Sequence, residues 1–492
     1  MTNNLSQAID LKKILAYCSL TFLLLLIPLK ISSYGNIPPD DAMRHAAYAV
    51  DNRMWGEVLV LRETILDSVD SHPGWHSYLR WLHKTVGLDT EGLVIASFVT
   101  TFFTFGCVGL FSNRKPLVWV TALLILYLLD GGVLMRILLG RPFAISMAVA
   151  LAILFLWQRQ ERLAKTSEYI VTSLMLALAI WLHPSWYLWL IFPAAFVLSG
   201  RWGDALRFGT CLLIALVVAV ILAASYYNIV FYPVHHLLIS MTQDPLRRLH
   251  LVSEFQPGGG SLMVVIVVVT TLAIYAARGR DWRTFVFRVD FCLMLTGWIA
   301  GLYVTRFWSD WGSVGFVAWA CWVLHTLNFQ AEMKLQHKII AAGMACLSFL
   351  LLTSSDAGGR YSNSVKDSVL SANVDELRKV LPDKGGILYG TDMSFFYRTY
   401  YRLPNAGFRY IIGFEPGMMR SADWAALRQI QLNDGFIASY DPWLLKLTTA
   451  DRIEIGSSPI KPEIKGFSFE FAAGKWIGKK LIKQAAASNS GL

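Results

Sequence analysis

The run Pro38-Pro39-Asp40-Asp41-Ala42-Met43-Arg44-His45 puts two adjacent carboxylates within about one helical turn of a guanidinium and an imidazole. An Asp at the head of such a run caps a helix by accepting its orphan N–H groups, and Arg44 and His45 then fall on the following turn. Neighbouring carboxylates perturb each other's ionisation, which leaves one basic enough to take a proton from a hydroxyl group. The same spacing also describes a capped surface helix with a local ion pair. A second set, Asp130, Arg136, Arg141, His183, Arg306 and Asp310, lies at the ends of long apolar runs. Ionisable groups there are costly and ordinarily face a bundle interior or a cavity. Proline helix starts (Arg141-Pro142, His183-Pro184) and snorkelling arginines account for single members, but not for their collection at one set of ends. Arginine forks two phosphate oxygens, so Arg44, Arg136, Arg141, Arg247, Arg248 and Arg306 are candidates to hold a phosphate. The Arg247-Arg248 pair suits contact with anionic headgroups equally well.

Other chemistries find little support. His72, His76 and His83 have a spacing compatible with metal, yet no nearby carboxylate completes a site, and polarity of an interfacial helix explains them better. The chain has no Walker loop, no dinucleotide fingerprint and no Gly-x-Ser-x-Gly elbow, which disfavours ATP-driven transport. All six cysteines sit inside apolar runs, so neither a disulfide framework nor a zinc site is expected.

The elements that must position these groups are long and apolar. Of 492 residues 55% are hydrophobic and only 16% charged, far below the share of a soluble domain. Eleven stretches approach the length needed to cross a bilayer as helix: 13–33, 92–111, 117–135, 141–157, 168–183, 184–199, 207–227, 261–278, 288–305, 311–328 and 338–353. The first reads as an uncleaved anchor, being long for a signal sequence and without a small-x-small cleavage site. With the N-terminus cytoplasmic, every short cytoplasmic loop is basic: Arg114/Lys115, Arg159/Arg162/Lys165, Arg201/Arg207, Arg278/Arg280/Arg283/Arg288 and Lys334/Lys338. The net charge of +10 follows from these loops, and nucleic acid is not expected as a partner. Residues 34–91, 228–260 and 354–492 fall outside. Trp55, Trp75, Tyr78 and Trp81 suggest surface-lying helices in 34–91, over Ala42–Val50 and His76–Val86.

The expected architecture is a polytopic α-helical membrane protein of about eleven spans. Residues 1–353 form its transmembrane domain, outer loop 34–91 included, and 354–492 a small soluble α/β domain. In that tail, strands are expected at Gly386–Tyr389, Arg452–Ile455 and Phe467–Phe471, and a helix at Ala422–Leu432.

On these features the chain resembles the GT-C superfamily of membrane glycosyltransferases, which use polyprenyl-phosphate sugars. The resemblance covers most of the chain: a first span, an outer loop opening on Asp40-Asp41-Ala42-Met43-Arg44-His45, many further spans and a soluble tail. Leu139-Gly140-Arg141-Pro142 and Leu182-His183-Pro184-Ser185 look like outer-edge motifs of bacterial members, and Tyr400-Tyr401-Arg402-Leu403-Pro404 and Gly413-Phe414-Glu415-Pro416 resemble tail segments. No Trp-Trp-Asp signature is present, which disfavours transfer of a whole glycan to asparagine.

The resemblance implies an inverting transfer from a polyprenyl-phosphate sugar to a glycan, lipid or protein acceptor, with Asp40 as base. Asp41 would support it or bind a divalent metal where one is used. Arg44, His45, Arg136, Arg141, His183, Arg247, Arg248, Arg306 and Asp310 would bind donor phosphate or sugar, in a cavity shared with the acidic pair. The expected setting is a bacterial inner membrane with the tail periplasmic; the only Asn-x-Ser/Thr site, Asn4-Leu5-Ser6, falls on the cytoplasmic side. A polysaccharide polymerase or ligase is the alternative enzyme, although such families place their catalytic loop between late spans. A flippase or transporter would instead show mid-span charges or two matched halves.

Overall fold

A computed structural model of the chain describes residues 40–51, 53–63, 66–111, 116–158, 165–241, 256–258, 260–326, 366–413, 416–456 and 460–481, with a few isolated positions besides. It divides into two compact units. One comprises residues 1–34, 71–78 and 94–361, and the other 35–70, 79–93 and 362–492.

The first unit is helical. In chain order the helices of the two units up to residue 326 include α1 (Asp41–Val50), α2 (Pro73–Val86), α3 (Thr90–Cys107), α4 (Pro116–Leu129), α5 (Gly131–Ile137) and α6 (Phe143–Trp157). They continue with α7 (Lys165–Leu182), α8 (Ile191–Leu198), α9 (Trp202–Ala223), α10 (Leu262–Ala277), α11 (Val289–Gly301) and α12 (Ser313–Thr326). Every expected span from 92–111 to 311–328 therefore holds helix, while 13–33 and 338–353 lie outside the described residues or nearly so. By length and composition α3 and α9 suffice to cross a membrane. On α9, Leu206, Leu213, Val217 and Ile221 stand exposed along the helix, as apolar side chains do where lipid is the solvent.

Two expected spans are irregular. The 117–135 run is not one helix but α4 and α5, bent by 110°. Asp130 breaks it: its Oδ1 accepts the N–H groups of Gly132 (3.0 Å) and Val133 (3.3 Å) and starts a new helix. The 184–199 run opens as a 3₁₀ turn, Trp186–Leu190, before α8, and Pro184, with no N–H to donate, keeps α7 from running on into it.

The second unit carries a five-stranded sheet in the order β2-β1-β3-β5-β4. Its strands are β1 (Ile387–Tyr389), β2 (Arg409–Tyr410), β3 (Arg452–Ile455), β4 (Phe467–Ala472) and β5 (Lys475–Lys480). The β1 strand pairs parallel with β2 and β3, and β5 pairs antiparallel with β3 and β4. Helices α13 (Met393–Arg402) and α14 (Ser421–Leu432) pack with it. The outer segment joins the same body: Leu59 bridges Tyr410 in parallel beyond β2, Val60 N donates to the Tyr410 carbonyl (3.0 Å), and Val60 enters a core with Leu427, Trp443 and Ile453. Trp55 and Trp75, expected at a membrane surface, are instead 2% and 0% exposed, whereas Trp81 is 56% exposed. Trp55 stacks on Tyr48 at 4.3 Å, so protein rather than lipid receives its ring.

Candidate functional site

In the second unit the acidic pair opens α1. Asp40 is the N-cap, 6% exposed, with Oδ1 accepting the Asp41 N–H at 2.6 Å. Asp41 Oδ1 accepts from Arg44 Nε one turn on (3.3 Å) and from the Tyr397 hydroxyl (3.0 Å). Arg44 lies 5.6 Å over the Trp55 ring, and its Nη2 meets His45 Nε2 at 3.4 Å. Asp40, Asp41, Arg44 and His45 are thus gathered on one helix end, Arg44 and His45 being buried.

The other end of α1 is tied as firmly. Buried Asp51 receives Arg53 Nε on both oxygens (3.0 Å each) and the Tyr400 hydroxyl on Oδ2 (3.0 Å). Arg53 also donates to the carbonyls of Pro404 (2.9 Å) and Phe408 (3.2 Å). Burial, reinforced by the Asp51 carboxylate, holds the Tyr400 hydroxyl well above the ordinary tyrosine value, so it stays a donor.

In the first unit a different cluster forms. Arg136, in the last turn of α5, is bonded through Nε to Asp310 Oδ1 and through Nη2 to Oδ2 (3.0 Å). Arg306 Nε meets the same Oδ2 at 3.0 Å, and its Nη2 meets His183 Nε2 at 3.1 Å. The His183 ring lies 5.3 Å from His72, and Arg136 sits 3.9 Å over Phe143. Asp310 rides a π-helical turn, Trp308–Gly312, closed by Ser313 N–H to the Trp308 carbonyl. Such one-turn bulges are concentrated at functional sites. Next to the cluster is a cavity of about 10 Å³, room for roughly one water, lined by Phe143, Ser146, His183, Trp189, Asp310 and Trp311 among others.

Glycines let this turn approach α11. A Cβ on Gly297 would lie 2.5 Å from Gly312 N, and one on Gly315 would lie 2.5 Å from Met294 N. Small residues at such crossings allow backbones to touch.

The structure therefore brings Arg136, His183, Arg306 and Asp310 together in one unit and Asp40, Asp41, Arg44 and His45 in the other. Arg141 is half-buried just ahead of α6, its carbonyl accepting from Ala144 N (3.2 Å). Arg247 and Arg248 lie outside the described residues. Among the described residues no set of three or more His, Cys, Asp or Glu side chains is arranged to hold a metal ion. Asp51, Arg53, Tyr397 and Tyr400 were not singled out individually by sequence reasoning; the one signal was the Tyr400-Tyr401-Arg402-Leu403-Pro404 segment.

No protein-family model and no curated protein matches the sequence. Solved structures do. ArnT of Cupriavidus metallidurans in the apo state aligns over 95% of this chain and 97% of its own, at 11% identity and a TM-score of 0.52. The archaeal oligosaccharyltransferase AglB of Archaeoglobus fulgidus, solved with an inhibitory peptide and a dolichol-phosphate, aligns over 90% of this chain and 70% of its own. Its identity is 13% and its TM-score 0.51. Over most of its length the chain therefore shares the fold of these two solved structures.

Proposed function

We propose that this chain is a glycosyltransferase that moves a sugar from a polyprenyl-phosphate donor to a glycan, lipid or protein acceptor at the periplasmic face of a bacterial inner membrane. The observation that carries the reading is the fold, matched over nearly the full length of both chains with ArnT. Asp40 takes the proton of an acceptor hydroxyl. The acceptor oxygen bonds to the anomeric carbon as the carbon–oxygen bond to phosphate breaks, and the electron pair leaves with the lipid phosphate. Asp41, already occupied by Arg44 and Tyr397, supports its neighbour. Within the first unit, Arg136 and Arg306 are the paired cations suited to an anionic phosphate. Asp310 holds both guanidiniums in place beforehand, so little reorganisation accompanies charge development.

The test is transfer by purified protein from a panel of radiolabelled polyprenyl-phosphate sugars, comparing wild type with Asp40→Asn and Asp41→Asn. Turnover by wild type and its loss by a hundredfold or more in well-folded Asp40→Asn is the expected result. Turnover surviving both substitutions removes the acidic pair from the reaction.

A further inference from the structure

The acidic-pair helix is built by two distant parts of the chain, 356 residues apart at the Asp41–Tyr397 bond. We infer that Tyr397 is a positioning residue for Asp41, so that the C-terminal part of the chain completes the acidic-pair site; this rests on the reading of Asp40 and Asp41 as the reacting pair. Asp41 Oδ1 has two donors from different elements, Arg44 on its own helix and Tyr397 on α13. Arg44 approaches Asp41 Oδ1 at 3.3 Å from one turn along the same helix, and Tyr397 approaches it at 3.0 Å from another element. Donors from two directions restrict rotation of a carboxylate about its Cα–Cβ and Cβ–Cγ bonds more than either does alone. A phenol suits the task because it donates one O–H without adding a positive charge that would cancel the carboxylate's.

The helix that presents Tyr397 is itself fixed. Asp392 caps it through Ser394 N (2.8 Å), and Arg398 joins Asp392 (3.4 Å) to Asp367. Lys475 on β5 bridges Asp392 (3.4 Å) and the fully buried Glu454 of β3 (3.0 Å). One turn along, Tyr400 makes the matching bond to Asp51, and Phe396 stacks on Tyr400 at 5.6 Å. Two phenols three residues apart therefore clamp both ends of α1, and only the first touches the acidic pair.

The experiment uses the full-length protein and two readouts. Carbodiimide labelling of carboxylates at neutral pH, resolved by peptide mass spectrometry, reports Asp41 and Asp51 separately without requiring a substrate. Tyr397→Phe is expected to raise Asp41 labelling at least threefold and leave Asp51 unchanged; Tyr400→Phe is expected to do the reverse. Against the radiolabelled donor panel, Tyr397→Phe is expected to lower kcat tenfold or more with donor KM within twofold. Because Tyr400→Phe deletes the other phenol of the same helix, it controls for general loosening of α13. Asp41 labelling unchanged by Tyr397→Phe overturns the inference whatever the activity. Raised labelling with wild-type kcat overturns the positioning role while leaving the transferase reading standing. A wild type that turns over no donor overturns the functional reading, and labelling alone then decides whether Tyr397 holds Asp41.

Discussion

Replacing Gly297 by Ala adds one methyl group where α11 meets the π-helical turn. The added carbon would stand 2.5 Å from Gly312 N, 2.6 Å from Gly312 Cα and 3.0 Å from the Phe307 carbonyl oxygen. All three atoms are backbone, so no side chain can rotate away. Ordinary contact begins near 3.4 Å, and the turn must retreat by about 0.9 Å to restore it. Asp310 rides on that turn. Its 3.0 Å bond to Arg136 Nη2 would then lengthen to as much as about 3.9 Å, past the hydrogen-bond range. Overpacking costs about 1–3 kcal/mol. Loosening a buried charged pair costs about 1–3 kcal/mol more. Alanine returns about 1 kcal/mol of helix propensity, so the net loss is about 1–5 kcal/mol. Gly209, inside α9 with nothing within 4 Å of its added carbon, is the control and should be neutral or slightly stabilised by Ala. Thermal unfolding of the two variants beside wild type, followed by donor turnover, measures the difference. A Gly297→Ala protein melting with Gly209→Ala and retaining turnover would refute the claim that close approach at Gly297 sets Asp310.

Two further outcomes follow from buried charge. Asp310→Asn keeps the side-chain shape but removes the anion between Arg136 and Arg306, and should cost about 3–5 kcal/mol, read as a lowered Tm. Lys475→Met leaves Glu454 buried without its cation and should cost a similar amount, about 3–5 kcal/mol at pH 7. Burial already raises the Glu454 carboxyl above its usual value against the pull of Lys475, and removing Lys475 raises it further. A raised folded-state value gives stability that is present below the unfolded value and lost as pH rises through the folded one. The Lys475→Met deficit should accordingly shrink as pH falls from 8 to 5; a constant deficit in melting scans across that range counts against the unpaired Glu454 as its cause.

What the sequence made legible is what depends on near neighbours. Asp40 as a helix cap with Arg44 one turn on is a matter of a few residues, and those contacts formed as the spacing implies. The apolar runs were legible for the same reason, because length and composition are local. Pairings were not. Arg136 and Asp310 each stood out as an ionisable group at a run end, but their partnership joins residues 174 apart. Tyr397 carried no signal, since a tyrosine on the buried face of an amphipathic helix is ordinary core material. The β5 strand was missed because Lys475-Trp476-Ile477-Gly478-Lys479-Lys480 reads as polar tail. Its strand state comes from the two-residue turn Ala473-Gly474, both at positive φ (52° and 76°), which folds it onto β4. The broken 117–135 run did carry a sign, Asp130-Gly131-Gly132: a capping residue ahead of two poor helix formers outweighs continuous hydropathy.

That break and the π-helical turn are two halves of one arrangement. Irregular backbone in an apolar bundle leaves N–H and carbonyl groups without helical partners, and it is tolerated only where protein satisfies them or a cavity is lined. Here each irregularity supplies what the other lacks. Asp130 caps the broken helix through Oδ1, while its Oδ2 accepts the Trp308 indole N–H at 2.8 Å from the π-helical turn. Six residues further along, Arg136 returns two bonds to Asp310 on that same turn. The Trp308 side chain fits because Gly260, Gly301 and Gly312 leave room: a Cβ at each would lie within 2.8 Å of Trp308 side-chain atoms. A regular helix in either place would point Arg136 or Asp310 elsewhere on its circumference, since one added residue turns a helix face by about 100°. The arginine cluster is therefore a product of the two helix defects held against each other, and substitutions that restore helical regularity at Asp130 should damage it as surely as removing a charge.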